Sequence, residues 1–502
     1  MNKNNILRLL KIKGENRILE EEMSVLTNLE PQSVFKHFEE ICAIPHGSGD
    51  MDKISAYCAE FARKNNLKAV VDEAKNVIIY KDGTKGYENS APLILQGHID
   101  MVCQKTEDCA IDFEKDGISV IVDNDFIKAD KTTLGADNGI AVAMIMAILE
   151  NPDLEHPPIE AVFTTDEETG MTGANELDAS LLKGKRMINI DSEEANTLTV
   201  SCAGGVDVKI SVPVKRKKVD ATPVAIKIDG LKGGHSGIEI DKGRVNADIL
   251  GGRILNYLKN CTELNLISVN GGTKRNAIPL SFTAEVAVND ADKFINILNE
   301  YITIVENEIK DREENFSVTV EKGAKSNLAV LDDESTNKVI YMLNTTPNGV
   351  IEMSAKIENL VETSLNLGVL KTAENEIIMQ YALRSNKKTA LDFLTDKMVS
   401  FAKYNKCGAV VSGRYEPWEY KENSPLRKLY VEEYKNKFNE DVIVAAIHAG
   451  LECAVFSSKI DDIDCISIGP DMFDVHTVNE RLSISSTKQI FELLLKVIAR
   501  CK

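Results

Sequence analysis

No two of the ten cysteines in this 502-residue chain form a C-x-x-C pair, and they are scattered from Cys42 to Cys501. That spacing excludes a zinc ribbon and a dense disulfide framework, and it fits reduced thiols in the cytoplasm. Long apolar runs are missing as well, since no stretch approaches the length that crosses a bilayer. In the basic N-terminal segment MNKNNILRLLKIKG the apolar part, Ile6 to Leu10, is short and interrupted by Arg8, unlike a signal peptide. Positive charge is in deficit, with 59 Lys plus Arg against 78 Asp plus Glu and a net charge of −19. A chain so acidic offers no broad basic face for phosphates, which argues against nucleic acid as a partner and against phosphoester chemistry.

What the sequence does have is length and alternation. A chain of 502 residues exceeds the size at which single cores split, so two domains are expected. From about residue 30 helix-like pieces (PQSVFKHFEEICAIP, MDKISAYCAEFARKNNL, GIAVAMIMAILEN, ELDASLLKG) alternate with apolar strand-like ones (NVIIY, PLILQG, IEAVFTT, RMINID). This pattern predicts an α/β domain with a mostly parallel sheet covered by helices. After Gly204-Gly205 the texture changes to alternating strands such as VDVKISVPV and TPVAIKIDG, and a block of similar texture runs from about Ser317 to Val411. α/β texture then returns with DVIVAAI, CISIG and KQIFELLLKVIAR. The expected organisation is an N-terminal extension over 1–22 with Met23 as an alternative start, a catalytic domain in two parts over 23–206 and 412–502, and an inserted α+β lid over 207–411.

The polar residues of this map collect at strand ends. His98 and Asp100 follow PLILQG, Glu167 and Glu168 follow IEAVFTT, Asp191 follows RMINI, His476 follows CISIG, and Asp137 opens a helix after LGA. The carboxyl edge of a parallel sheet is where ligands bind. Charges crowded there repel unless a cation sits among them, and imidazole plus carboxylate without thiolate suits zinc, cobalt or manganese in a hydrolytic site. The count fits two divalent ions bridged by Asp137, one taking His98 and Asp191 and the other Glu168 and His476, with Asp100 orienting a metal-binding imidazole. Each residue also has a plainer reading. A lone histidine can be structural, Asp137 can cap its helix, and Asp191-Ser192-Glu193-Glu194 or Asp166-Glu167-Glu168 can be solvated turns.

The motifs HID (98–100), LGADNG (134–139), TTDEETGMTGA (164–174), NIDSEE (189–194) and GGHSG (233–237) together resemble the M20 metallopeptidases. HAGLEC (448–453) and DVHTVNE (474–480) resemble the aminoacyl-histidine dipeptidase branch of that family, and the resemblance runs from about Met23 to the last residue. It implies a two-metal domain with an inserted lid, Glu167 as general base, Glu168 as metal ligand, and a cis bond between Asp137 and Asn138. It further implies hydrolysis of unblocked dipeptides, with substrates of the Xaa-His type including β-alanyl-histidine. His235, carried by the lid, becomes the donor to the oxyanion. Asn276 and Arg384 become substrate-holding residues, Arg384 pairing with the terminal carboxylate, and His448 lines the mouth of the site. A tripeptidase or N-acyl amino-acid deacylase shares the metal motifs, and a silent binding protein of the same fold has no need for Glu167. Asp166 has no role in this reading, and a homodimer is compatible with the mechanism without being required by it.

Overall fold

The computed structural model describes residues 25–502, so the extension read over 1–22 lies outside the described residues. These residues fall into two units. One holds the residues up to Val200 with Lys421–Ala445 and Leu451–Lys502, and the other holds Ser201–Tyr420 with Ala446–Gly450.

The first unit is built on an eight-stranded sheet. At its centre Leu93–His98 lies between Ile159–Thr164 and Arg186–Asn189, and Asp464–Ser467 follows beyond Arg186–Asn189, all three pairings being parallel. Val77–Lys81 and Lys68–Val71 extend the sheet antiparallel on one side, and Thr197–Cys202 does so on the other. The sheet is thus parallel where the polar residues collect and antiparallel towards its edges. Every residue of Leu93–His98 and Ile159–Thr164 is buried, which is why neither strand shows polar alternation. The helix Ala136–Glu150 is apolar all round and correspondingly buried from Asn138 to Leu149. It packs on Leu93–His98 and on the amphipathic helix Gln32–Cys42. Each fully enclosed Ile, Leu or Phe of this layer contributes roughly 1.5–3 kcal/mol.

The helix expected over ELDASLLKG is instead a short helix, Thr172–Glu176, and a single tight turn, Ala179–Leu181. Asp178 accepts the N–H of Ser180 and starts that new turn, and the buried Glu160 carboxylate takes the N–H groups of Lys183 and Gly184. A small four-stranded sheet, Val120–Asp123, Phe126–Ala129, Arg481–Ser483 and Met472–Phe473, fixes the hairpin that contains residues 474–480.

The second unit is a ten-stranded antiparallel sheet. The two blocks of similar texture share it: Arg216–Asp229 pairs with Phe282–Val288, Ser317–Lys322 and Ser326–Leu331, and Glu376–Ser385 lies between Gly204–Pro213 and Val361–Thr372. Helices Ala247–Cys261, Ala291–Ile309, Asp333–Thr345 and Lys388–Tyr404 supply apolar residues to one common core with the sheet. Their first turns are capped where the sequence offers it, by Asn246, Asp290 and Asp332. Residues 446–450 belong to this unit because Ala203 donates its N–H to Ile447 O and Ala449 O, both at 3.1 Å. Among the described residues no helix is long and apolar enough to cross a membrane.

Candidate functional site

The parallel register sets the strand ends level. His98 stands opposite Thr164, and Gln96 opposite Asn189, so His98, the Asp166–Glu168 turn and Asp191 emerge side by side at the carboxyl edge. Asp137 reaches the same edge from the start of Ala136–Glu150 with non-helical backbone angles, and its bond to Asn138 is cis. Its side chain does not cap the helix. One carboxylate oxygen of Asp137 lies 3.2 Å from His98 Nε2 and the other 3.2 Å from His476 Nε2. His98 Nε2 is also 3.4 Å from Asp191 Oδ1, and His476 Nε2 is 2.8 Å from Glu168 Oε1. Gly97 allows the helix this close, since a Cβ there would meet Asn138 Oδ1 at 2.5 Å.

Three groups in this cluster offer ligand atoms within 4.8 Å of one another: His98, Asp137 and Asp191; Asp137, Glu168 and His476; and His98, Glu167 and Glu168. The first two share Asp137. That arrangement fits a pair of divalent ions with Asp137 between them, and nitrogen and oxygen donors without thiolate suit zinc and its neighbours.

The electrostatics point the same way. Burial pushes Asp191 up to about 6, with Asp137 and Glu168 adding to it. Burial also holds Glu167 well above the usual carboxylate range, reinforced by Asp191, Glu452 and Glu168. The imidazoles move in the opposite sense to what burial alone would produce. Burial would lower His98, but Asp191, Asp100 and Asp137 outweigh it, and hydrogen bonds to Asp137 and Glu168 push His476 up to about 11. So many acids gathered at one edge call for positive charge among them.

Around the cluster, buried groups fix its geometry. His98 Nδ1 lies 3.0 Å from the Asp100 carbonyl, which turns Nε2 towards the acids. The Asp100 carboxylate accepts from Ser48 Oγ at 2.8 Å and from the N–H groups of Glu167 and Glu168 at 3.1 and 3.4 Å. Although burial opposes its charge, these bonds and His98 hold Asp100 below its ordinary pKa. Asp166 also finds a partner: at φ 52° it points its Oδ1 at the N–H of Gly49, 2.7 Å away, and ties the acidic turn to the HGSG loop.

Sequence reasoning missed Glu480. Its carboxylate is buried and accepts four consecutive backbone N–H groups, from Leu134 (2.7 Å), Gly135 (3.1 Å), Ala136 (2.8 Å) and Asp137 (3.4 Å). Four residues after His476, it joins the loop of Asp137 to the hairpin of His476. An acid at that spacing was visible in DVHTVNE, but nothing in a linear sequence points it at residues 134–137.

The second unit gathers His235, Arg384 and His448. A Cβ on Gly237 would meet His448 O at 2.5 Å, His235 Cε1 at 3.0 Å and Arg384 Nε at 3.2 Å. The turn of His235 is braced by Arg244, which donates to Gly233 O and Glu239, while Glu239 accepts the N–H of His235. His235 Nδ1 accepts from the N–H groups of Gly237 and Ile238, both at 3.3 Å, which places the ring proton on Nε2. Burial and the nearby Arg384 lower its pKa, so the ring is a neutral donor. Arg384 is 9% exposed and donates from Nη1 to Tyr415 Oη at 2.9 Å, while its Nε has no partner. Among the described residues no carboxylate lies within ion-pair distance of it, so this buried guanidinium keeps donor capacity that no protein acid takes up. Tyr415 was not foreseen.

Both ring nitrogens of His448 are engaged, Nε2 with Ser364 Oγ at 2.7 Å and Nδ1 with Asn386 Oδ1 at 3.2 Å, and burial pushes its pKa down to about 3. A neutral His448 can therefore line a surface but has no nitrogen to spare. Asn276 is brought beside the His235 turn by the ladder of Gly234–His235 with Ala277–Ile278, and its carbonyl accepts the N–H of Ser236 at 2.9 Å. Its own side chain is exposed.

Comparison with known proteins adds an independent line. The model of peptidase family M20/M25/M40 matches residues 94–500. The cytosol non-specific dipeptidase of Escherichia coli (strain K12) is 37% identical over 480 residues, covering 95% of this chain and 99% of that protein. Among solved structures, the aminoacylhistidine dipeptidase of Vibrio alginolyticus superposes with a TM-score of 0.88 at 34% identity, over 95% of this chain and 98% of that one. A Staphylococcus aureus tripeptidase shares the fold at a TM-score of 0.58 and 18% identity, over 94% of this chain and 99% of that one.

Proposed function

We propose, because the chain belongs to peptidase family M20/M25/M40, that it hydrolyses the peptide bond of unblocked dipeptides, Xaa-His substrates such as β-alanyl-histidine among them. The observation that carries this reading is the division of the Asp137 carboxylate between two imidazoles, one oxygen to each. His98 and Asp191 would hold one divalent ion, Glu168 and His476 the other, with zinc the best match to the donors and cobalt or manganese as substitutes. Bound there, such ions acidify water and polarise a peptide carbonyl. The names of the E. coli and Vibrio relatives support dipeptides as the substrate class.

The residues divide the remaining work. Glu167, whose half-buried carboxylate is held above the ordinary carboxylate range, accepts a proton from the attacking water and returns it to the departing amine. Asp100 keeps His98 and the Glu167–Glu168 turn in register. Arg384 receives the terminal carboxylate of the substrate, braced by Tyr415, with His448 and Asn276 lining its surroundings. His235 offers Nε2–H to the oxygen on which charge develops.

A panel of substrates tests the assignment. Dipeptides, including those ending in histidine, should be cleaved, whereas tripeptides and N-acyl amino acids should be poor. Replacing the terminal carboxylate by an amide should lower kcat/KM on the order of 10- to 100-fold, the scale of a lost charge-assisted hydrogen bond. Equal turnover of acid and amide would remove Arg384 from the site, and preferred cleavage of acylated amino acids would make the protein a deacylase.

For His235, Ala substitution should leave the fold and metal content intact while kcat falls on the order of 10²- to 10³-fold, the cost of one oxyanion donor. KM should change less. A variant altered in KM alone would place His235 in ground-state binding. Near-normal turnover by the metal-loaded variant would confine the chemistry to the first unit.

A further inference from the structure

One buried acid of the first unit takes no part in this scheme. Glu452 opens the helix Glu452–Lys459 and is fully buried. Its Oε2 accepts from Thr164 Oγ1 at 2.6 Å and from Gln96 Nε2, and Gln96 Oε1 in turn accepts from Asn189 Nδ2 at 2.6 Å. Gln96 Nε2 also lies 3.1 Å from Thr164 Oγ1. Gln96, Thr164 and Asn189 are themselves wholly enclosed and stand on three adjacent parallel strands.

Their positions in the chain give the network its meaning. Gln96 precedes His98 by two residues, Thr164 precedes Glu167 and Glu168 by three and four, and Asn189 precedes Asp191 by two. A continuous line of hydrogen bonds therefore crosses the sheet just beneath the positions where three strands deliver their polar residues. Such a line is unfavourable for stability. The second oxygen of Glu452 and Oδ1 of Asn189 are buried without partners, and apolar side chains would fill the same space with nothing left unpaired. A network of this kind defines geometry: parallel strands can shift along one another while keeping apolar contact, but not while keeping these bonds.

We propose that Glu452 is a positioning residue for the metal centre, holding Gln96 and Thr164 in one arrangement so that His98, Glu168 and Asp191 present their ligand atoms together. The inference rests on the two-ion reading given above. Burial pushes the Glu452 carboxyl up to about 7, so a neutral amide is a close substitute for it.

Zinc affinity measured by competition with a chelator, alongside the melting temperature of the metal-free protein, tests this on wild type, Glu452→Gln and Glu452→Leu. Glu452→Leu should lose 10- to 100-fold in zinc affinity, as when a group behind a ligand is removed. The metal-free leucine variant should still melt cooperatively and only modestly below wild type, since the donors of Thr164 and Gln96 lose their acceptor while Gln96 Nε2 keeps Thr164 Oγ1 at 3.1 Å. Glu452→Gln, which keeps an acceptor for Thr164 and Gln96, should remain within a few-fold of wild type. If the leucine variant does not fold, Gln96→Leu breaks the same line from within the sheet and should show the same loss. A folded leucine variant with wild-type affinity would overturn the proposal, as would a glutamine variant that loses as much as leucine. Wild-type protein that binds no zinc would instead overturn the two-ion reading itself.

Discussion

Removing divalent metal is expected to abolish dipeptide hydrolysis, and adding back zinc, cobalt or manganese to restore it. The expectation follows from the arrangement of Asp137, Glu167, Glu168 and Asp191, whose ligand atoms lie with those of His98 and His476 in groups spanning no more than 4.8 Å. No lysine or arginine is ion-paired with any of these four acids among the described residues, and the imidazoles of His98 and His476 are the positive side chains paired with them, so the protein itself supplies no dication to the cluster. Without one, nothing at the carboxyl edge polarises a carbonyl, and the neutral His235 cannot replace a dication as an electrophile. Activity should be titrated by chelator in step with metal loss, measured by elemental analysis on the same samples. Full turnover from a preparation shown to contain no metal would falsify the two-ion scheme.

Glu167 and Glu168 are expected to fail in different ways. Glu167→Ala should retain both ions and lose on the order of 10²- to 10⁴-fold in kcat, the usual worth of a general base. Glu168→Ala should lose metal first and activity in consequence. The geometry behind the distinction is that Glu168 Oε1 meets His476 Nε2 at 2.8 Å and is thereby placed beside Asp137. Glu167 has no such contact with His476, and its raised pKa suits a group that must take up and release a proton. Yet His98, Glu167 and Glu168 also form a group with ligand spacing, so the outcome is not trivial. Metal content and single-turnover rates on both variants decide it: if Glu167→Ala loses its ions while Glu168→Ala keeps them, the two roles are exchanged.

Much of this site could be read from the sequence because its residues sit where strands end. Apolar runs such as PLILQG and IEAVFTT announce buried strands, and polar residues immediately after them are held at the sheet edge by the backbone itself. Local signals of that kind also found the helix Gln32–Cys42 from its apolar spacing. What stayed hidden depends on distant parts of the chain. Glu480 meets residues 134–137, Ser48 meets Asp100, and Tyr415 meets Arg384, and in no case does the periodicity around one partner mention the other. The helix expected over ELDASLLKG was lost to Asp178, whose cap restarts the backbone within a segment that has apolar residues enough for either outcome. Likewise two blocks of similar strand texture carry no mark of whether they form two sheets or, as here, one.

The carboxylate of Glu480 has a consequence for the order in which this protein becomes an enzyme. Its four backbone partners are made early in synthesis, and so are His98, Glu168 and Asp191, but the loop that presents Asp137 waits for an anion encoded more than three hundred residues later. His476 arrives in the same late segment. A growing chain therefore carries most of its acids long before it has the means to arrange them. A fragment that stops short of residue 476 has lost both His476 and the clasp behind Asp137, so assembly of the cluster is a late event in the making of the molecule.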